Sequence, residues 1–247
     1  MATETAIEKK QNWLGCWSGL FHCGKCLALI SAEECAVCGH KLPEQPDEVI
    51  RKGDLEYRIT RNAVQGAISY TAVSLLALMQ QEWQRPQLDE QFQHSFAKGC
   101  SQRVLIVLLF WTLLEHIMDQ FFRTATSSLP AGVAAELLQR YPGIGARMDR
   151  LYLMLFDAKL KDDLEKLRYG DVFAHLRNVQ ERRNEFVHGN SEAIDDALVR
   201  ETVERLGDVQ AAWVALFNLR CTGDPEAPKM FEDRYYRDFV ARHSGSS

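Results

Sequence analysis

Hydrophobic positions recur at three- and four-residue steps along most of the chain, the spacing that lines one face of an α-helix. Ile59, Ala63, Ala67, Ala72, Leu75 and Met79 follow it, and the segment stops before Pro86 because a residue preceding proline avoids the helical region. One long helix over about residues 58 to 84 is predicted. After a polar stretch from Gln87 to Gly99, Cys100 to Arg123 is the most apolar segment and predicts the central helix. A short helix from Leu129-Pro130 to Tyr141-Pro142-Gly143 follows, then one from Ile144 to Leu167 with Met148, Leu151, Leu155 and Leu160 on related faces.

Tyr169-Gly170-Asp171 breaks the pattern. Asp171 suits the cap of a helix from Val172 to His188, and Gly189 stands where a helix end adopts the left-handed conformation. A further helix, Ser191 to Arg220, carries Ile194, Leu198, Val203, Leu206, Val209, Trp213 and Phe217 as its apolar stripe. A last one is predicted around Lys229 to Ala241. No alternating strand pattern of useful length stands out beyond the first 46 residues, so the expected fold class is all-α, a helical bundle.

The longest apolar run, Val104 to Leu114, is shorter than the roughly 20 residues a bilayer span needs, and Glu115 and His116 close it. A buried helix is predicted there, with no membrane as partner. The N-terminus lacks the basic-then-apolar order of a secretory signal, so the chain is expected to stay in the cytoplasm. With 247 residues and 46% hydrophobic content, a sizeable core is available. A net charge of -5 excludes coating nucleic acid by bulk charge, so any such contact must be local.

Five of the seven cysteines lie between Cys16 and Cys38. Cys23 and Cys26, then Cys35 and Cys38, form the pattern C-x2-C-x8-C-x2-C. Two residues between cysteines let a turn aim both sulfurs at one ion, and Gly24 or Gly39 supplies the positive φ such turns often need. In a reducing compartment this spacing predicts one structural Zn²⁺ per chain in a closed four-thiolate knuckle or ribbon over residues 1–46. His22, His40 and Cys16 are near enough in sequence to substitute, but both pairs are already complete. Trp13, Trp17, Leu20 and Phe21 would cover the knuckle or stack on a partner. Residues 47–98 then form a linker and the long additional helix, and 99–247 the bundle.

The chemistry-bearing cluster is Glu181-Arg182-Arg183-Asn184-Glu185-Phe186-Val187-His188-Gly189. At about 100° per residue, Asn184 and His188 share a helix face, whereas Arg183 lies about 140° from His188. Arginine is long enough to wrap around the turn, and a second copy of the helix would also bring the groups together. Histidine exchanges a proton near neutral pH and arginine holds a phosphate through two hydrogen bonds. Together they suffice for RNA cleavage with the ribose 2′-OH as nucleophile: His188 as base or acid, Arg183 stabilising phosphoryl charge, Asn184 orienting the ring or the phosphate. Arg177 and Arg182 would meet RNA phosphates nearby.

Arg183-Asn184-x-x-x-His188 resembles the R-x(4-6)-H signature of the HEPN superfamily (higher eukaryotes and prokaryotes nucleotide-binding). The resemblance covers about residues 99–247 and implies a dimeric helical bundle acting as a metal-independent endoribonuclease in a defence, toxin or RNA-processing role. It implies a composite site at the dimer interface, with Arg183, Asn184 and His188 catalytic and Glu115 at a frequent acidic position of an earlier helix. The implied partners are RNA, a second copy meeting through the motif helix, and an antitoxin or regulatory protein. The competing reading is a non-catalytic HEPN-like dimerisation or sensor module whose zinc knuckle binds nucleic acid or protein.

Overall fold

A computed structural model of the chain describes residues 21–22, 29–30, 39, 41, 48–52, 55–60, 63–87, 100–126 and 129–221. Cys23, Cys26, Cys35 and Cys38, the flanking Trp13, Trp17 and Leu20, and the helix anticipated around 229–241 lie outside these residues. Two short strands, β1 (Phe21–His22) and β2 (Leu29–Ile30), pair antiparallel on either side of the sequence that holds the first cysteine pair. Gly39, directly after Cys38, has φ 70°, as expected of a glycine following a Cys-x-x-Cys pair.

The single helix predicted from residue 58 is corrected. Strands β3 (Glu48–Lys52), β4 (Leu55–Thr60) and β5 (Ala63–Ser69) form an antiparallel sheet in the order β3-β4-β5, and only Tyr70–Gln84 is helical, α1. The physical reason is legible afterwards: Leu55-Glu56-Tyr57-Arg58-Ile59-Thr60 alternates apolar and polar residues, the period of a half-buried strand. Pairing of Tyr57 with Ala67 and of Arg58 with Gln65 leaves Gly66 as the extra residue of a bulge.

From Tyr70 onward the described chain is helical. Helix α2 (Val104–Ala125) is followed by α3 (Ala131–Arg140). Helix α4 starts as Ile144–Ala146, passes through a π-helical turn Arg147–Leu151 and continues as Tyr152–Phe156. Asp157, at φ 48°, ends it, so the predicted helix to Leu167 is two elements, the second being α5 (Leu160–Lys166). Helix α6 (Gly170–Val187) carries the Arg-His motif. A 3-10 turn, Ser191–Ala193, then leads to α7 (Asp196–Glu204) and α8 (Leu206–Arg220), where one helix was expected. Asp171 lies in the first turn of α6 and not at its cap, a position where its charge still favours the helix start.

Helix α2 is central: eleven of its residues, from Ile106 to Thr124, are buried. It continues past Glu115 to 22 residues, long and apolar enough by length and composition to cross a membrane, with half of its most apolar window packed inside the protein. Phe121 meets Trp213 of α8 edge-on at 5.3 Å and stacks on Tyr152 of α4 at 6.3 Å, geometries aromatic pairs favour. Beneath them the Tyr152 hydroxyl donates to Asp163 Oδ2 at 2.8 Å, and Arg220 Nε donates to the same oxygen at 2.7 Å. Burial alone would raise the Asp163 carboxyl, but the hydrogen bonds from Arg220 and Tyr152 hold it below the ordinary range. This buried charge, bonded through one oxygen by Tyr152 and Arg220, ties α4, α5 and α8 together.

Candidate functional site

The motif helix supplies its fully buried residues from its first half. Its fully buried residues are Val172, His175, Leu176 and Val179, a three-and-four spacing that turns this half toward α2. Past Val179 no residue of α6 is fully buried, although Phe186 still packs against the edge of the core. The end is nevertheless fixed. The Gly189 N–H donates to the Phe186 carbonyl at 3.1 Å and the Asn190 N–H to the Glu185 carbonyl at 3.0 Å, the paired bonds of a Schellman motif. Gly189 takes φ +105° to close it, as predicted from its position. His188 is the last residue before that reversal, its N–H bonded to the Asn184 carbonyl at 3.0 Å and its ring exposed.

Arg183 and Asn184 are brought together: Arg183 Nη1 donates to Asn184 Oδ1 at 3.2 Å. The guanidinium has therefore wrapped toward the stripe shared by Asn184 and His188, which reduces the angular mismatch of an ideal helix. Arg183 Nε is shielded from solvent and has no hydrogen-bond partner among the described residues. An arginine anchored by one nitrogen and short of a second partner, one turn from an exposed imidazole, is suited to an anion. Glu115 is also exposed, on α2, and makes no hydrogen bond or ion pair with Arg183, Asn184 or His188 among the described residues.

The two arginines assigned to RNA have different neighbours. Arg182 Nη2 pairs with Asp195 Oδ2 at 2.6 Å, while Asp195 Oδ1 accepts the Leu198 N–H at 2.8 Å and so caps α7. Arg182 thus fastens the motif helix to the next one. Arg177 pairs with Asp149 of α4, donates to Gln180 Oε1 at 3.0 Å and lies over the Phe173 ring at 5.3 Å. Phe173, Arg177, Asn184 and His188 fall on one stripe of α6 at 100° per residue.

His175 lies outside the motif and beside charged residues of α7, although neither ring nitrogen makes a hydrogen bond among the described residues. The ring is 2% exposed, with Nδ1 3.4 Å from Glu201 Oε1 of α7 and the Phe110 ring 6.1 Å away. Glu201 Oε1 also accepts Arg205 Nε at 2.9 Å, and Arg205 Nη1 reaches Asp171 Oδ2 at 2.7 Å. Burial pushes the His175 titration below its ordinary value, and the Glu201 charge only partly opposes this. The pairs Asp171/His175 and Glu201/Arg205 were visible as one-turn neighbours, but their meeting depends on tertiary packing. His116 bonds Gln120 through Nε2 at 2.8 Å, in keeping with a helix-edge histidine. Burial pushes the Cys221 thiol up to about 12, so it is inert.

Among the described residues no group of three or more His, Cys, Asp or Glu side chains is placed to hold a metal ion. Comparison with known proteins returns no match: no family model, no curated protein and no solved structure aligns with the chain.

Proposed function

We propose that the chain is a HEPN-like, metal-independent endoribonuclease of the cytoplasm, acting as a homodimer through the motif helix and carrying a zinc knuckle that recruits RNA or a regulatory partner such as an antitoxin. The observation that carries the reading is the Arg183 to Asn184 hydrogen bond at 3.2 Å, which turns a guanidinium toward the stripe of an exposed His188 at a rigidly closed helix end. In the reaction His188 takes the proton of a ribose 2′-OH as its oxygen forms a bond to phosphorus. The bond from phosphorus to the 5′-oxygen breaks, and its electron pair leaves with that oxygen, which is protonated by an imidazolium. A 2′,3′-cyclic phosphate and a 5′-hydroxyl result. Arg183 meets the charge gathering on the phosphoryl oxygens, and Asn184 holds the guanidinium in place.

Cys23, Cys26, Cys35 and Cys38 would bind the structural Zn²⁺, a reading supported by the β1–β2 hairpin around the first pair and by the positive φ of Gly39 after the second. The test is incubation of labelled RNA with wild-type, Arg183→Ala and His188→Ala protein in magnesium-free buffer with EDTA, zinc content being measured in each. Cleavage by the wild type that both variants lose supports the assignment. Equal cleavage by all three, or none by the zinc-loaded wild type across varied RNAs, refutes it.

A further inference from the structure

Twenty-odd ångströms of α6 separate His188 from a second feature that the cleavage chemistry does not use, estimated at about 1.5 Å per helical residue. A groove of about 370 Å³ opens between α4, α5 and α6. Its floor is Met148 and Leu160, both 1% exposed, and its walls are Leu153 and Phe173. Lys159, Lys161 and Arg177 rim it, against the single carboxylate of Asp149. Leu153 is 43% exposed, so a large apolar side chain of the groove faces solvent beside the cations.

We propose that this groove binds one nucleotide of single-stranded RNA, its base against Leu153 and Phe173 and its phosphate at Lys159 and Lys161. The subsite deepens the nuclease reading and rests on it for the choice of polymer. Three observations argue for this occupant. The volume lies in the range of small-ligand sites, enough for a base and its sugar. The wall offers the Phe173 ring, one side of which the Arg177 guanidinium already covers at 5.3 Å, and an aromatic ring is a surface on which an unpaired base packs. Rim charge is complementary to phosphate: the Lys159 ammonium has no partner among the described residues, and the Lys161 pair with Glu165 is loose at 3.7 Å and more than half exposed on both sides. Arg177 in turn stands on the stripe that leads along α6 to Asn184 and His188, so a strand seated in the groove can run on toward the motif.

The test uses the full chain bearing His188→Ala, so that binding is read without cleavage, and follows a labelled mixed-sequence single-stranded RNA by fluorescence anisotropy over a range of salt. Added Lys159→Glu and Lys161→Glu should weaken binding about tenfold or more and reduce the slope of log affinity against log salt by about 0.7, the one phosphate that the two lysines hold. Added Leu153→Ser should weaken binding about fivefold while leaving the slope alone. These side chains are exposed, and melting curves matching the parent confirm the fold. RNA affinity and slope unchanged in all variants, or no RNA binding by the parent, overturns the subsite. So does binding of a poly-glutamate peptide that the lysine changes abolish while RNA binding persists, which would assign the groove to an acidic protein. A wild type that leaves RNA intact yet binds it through Lys159 and Leu153 would sink the nuclease reading and keep the subsite; cleavage that needs His188 but ignores the groove would do the reverse.

Discussion

Helix α6 carries two histidines in opposite settings. His175 is 2% exposed among Phe110, Glu201, Arg205 and Asp171, on the half of the helix that supplies every fully buried residue of the element. His188 stands in solvent on the half that supplies none, its backbone closed by Gly189 and Asn190 and its ring unbonded among the described residues. Burial favours a neutral imidazole fixed as a packing element, whereas water access leaves a ring free to take and return a proton. The difference teaches that polar residues alone do not make a site. The better-connected cluster is the one the fold has already used, and the sparsely bonded one is open to a ligand.

The largest expected effect separates the two halves cleanly. His188→Ala should lower RNA cleavage about 10²- to 10⁴-fold, the usual contribution of a general acid or base, with no change in melting temperature. A fall in melting temperature without a specific loss of cleavage would make His188 structural and erase the contrast. Next in size is Asp195→Ala, which removes the cap of α7 and the partner of Arg182 in one step. A loss of about 2 kcal/mol is expected in urea denaturation. Cleavage should fall less than in His188→Ala, because Asp195 fastens Arg182 to the next helix and takes no part in the proton transfer. Full activity loss with unchanged stability would move Arg182 and Asp195 into the site itself.

Motif helix, Gly189 stop and apolar central helix were legible because local signals and tertiary outcome agree there, as did Gly39 beside the second cysteine pair. The sheet was missed because Ile59, Ala63 and Ala67 happen to stand four apart, and small alanines count weakly for either period. The alternation from Leu55 to Thr60 was the better signal. The break at Asp157 was missed because no proline or glycine marks it, and that at Arg205 because its glycine, Gly207, lies inside the apolar stripe and in the first turn of α8. Partners of His175, Arg177 and Arg182 come from α7, α4 and the α7 cap, and no spacing within α6 reveals them. The groove needs three elements at once, so it exists only in the folded chain.

The buried half makes a pH prediction with a definite sign. Folding lowers the titration of His175, so above about pH 6.5 the ring is neutral in both states and its packing contributes fully. As pH falls below that value the unfolded chain takes up a proton first, and stability declines until the folded ring also protonates. The slope from this one residue approaches about 1.4 kcal/mol per pH unit within that window. His175→Leu, which leaves Glu201 paired with Arg205, should flatten denaturation midpoints between pH 6.5 and 5. A variant with the parent's slope would show that other groups set the acid response and that the two histidines differ less than their burial implies.

The smallest effect tests why His188 can be exposed and still be positioned. A Cβ added at Gly189 would meet nothing within 4 Å, so Gly189→Ala carries no packing penalty, and its cost lies in the backbone at φ +105°. That cost is about 1 to 2 kcal/mol for an L-residue. Relief comes by rotating out of the turn, which breaks the bonds from Gly189 to Phe186 and from Asn190 to Glu185 and frays the helix end that carries His188. Stability should therefore drop by about 1 kcal/mol, and cleavage severalfold, with RNA affinity unchanged because the groove lies on the anchored half. Gly189→Asn, which tolerates positive φ better, should recover part of both losses. If Gly189→Ala costs stability and cleavage stays at the parent rate, the closed helix end is a structural stop only, and the position of His188 must come from a second copy of the chain.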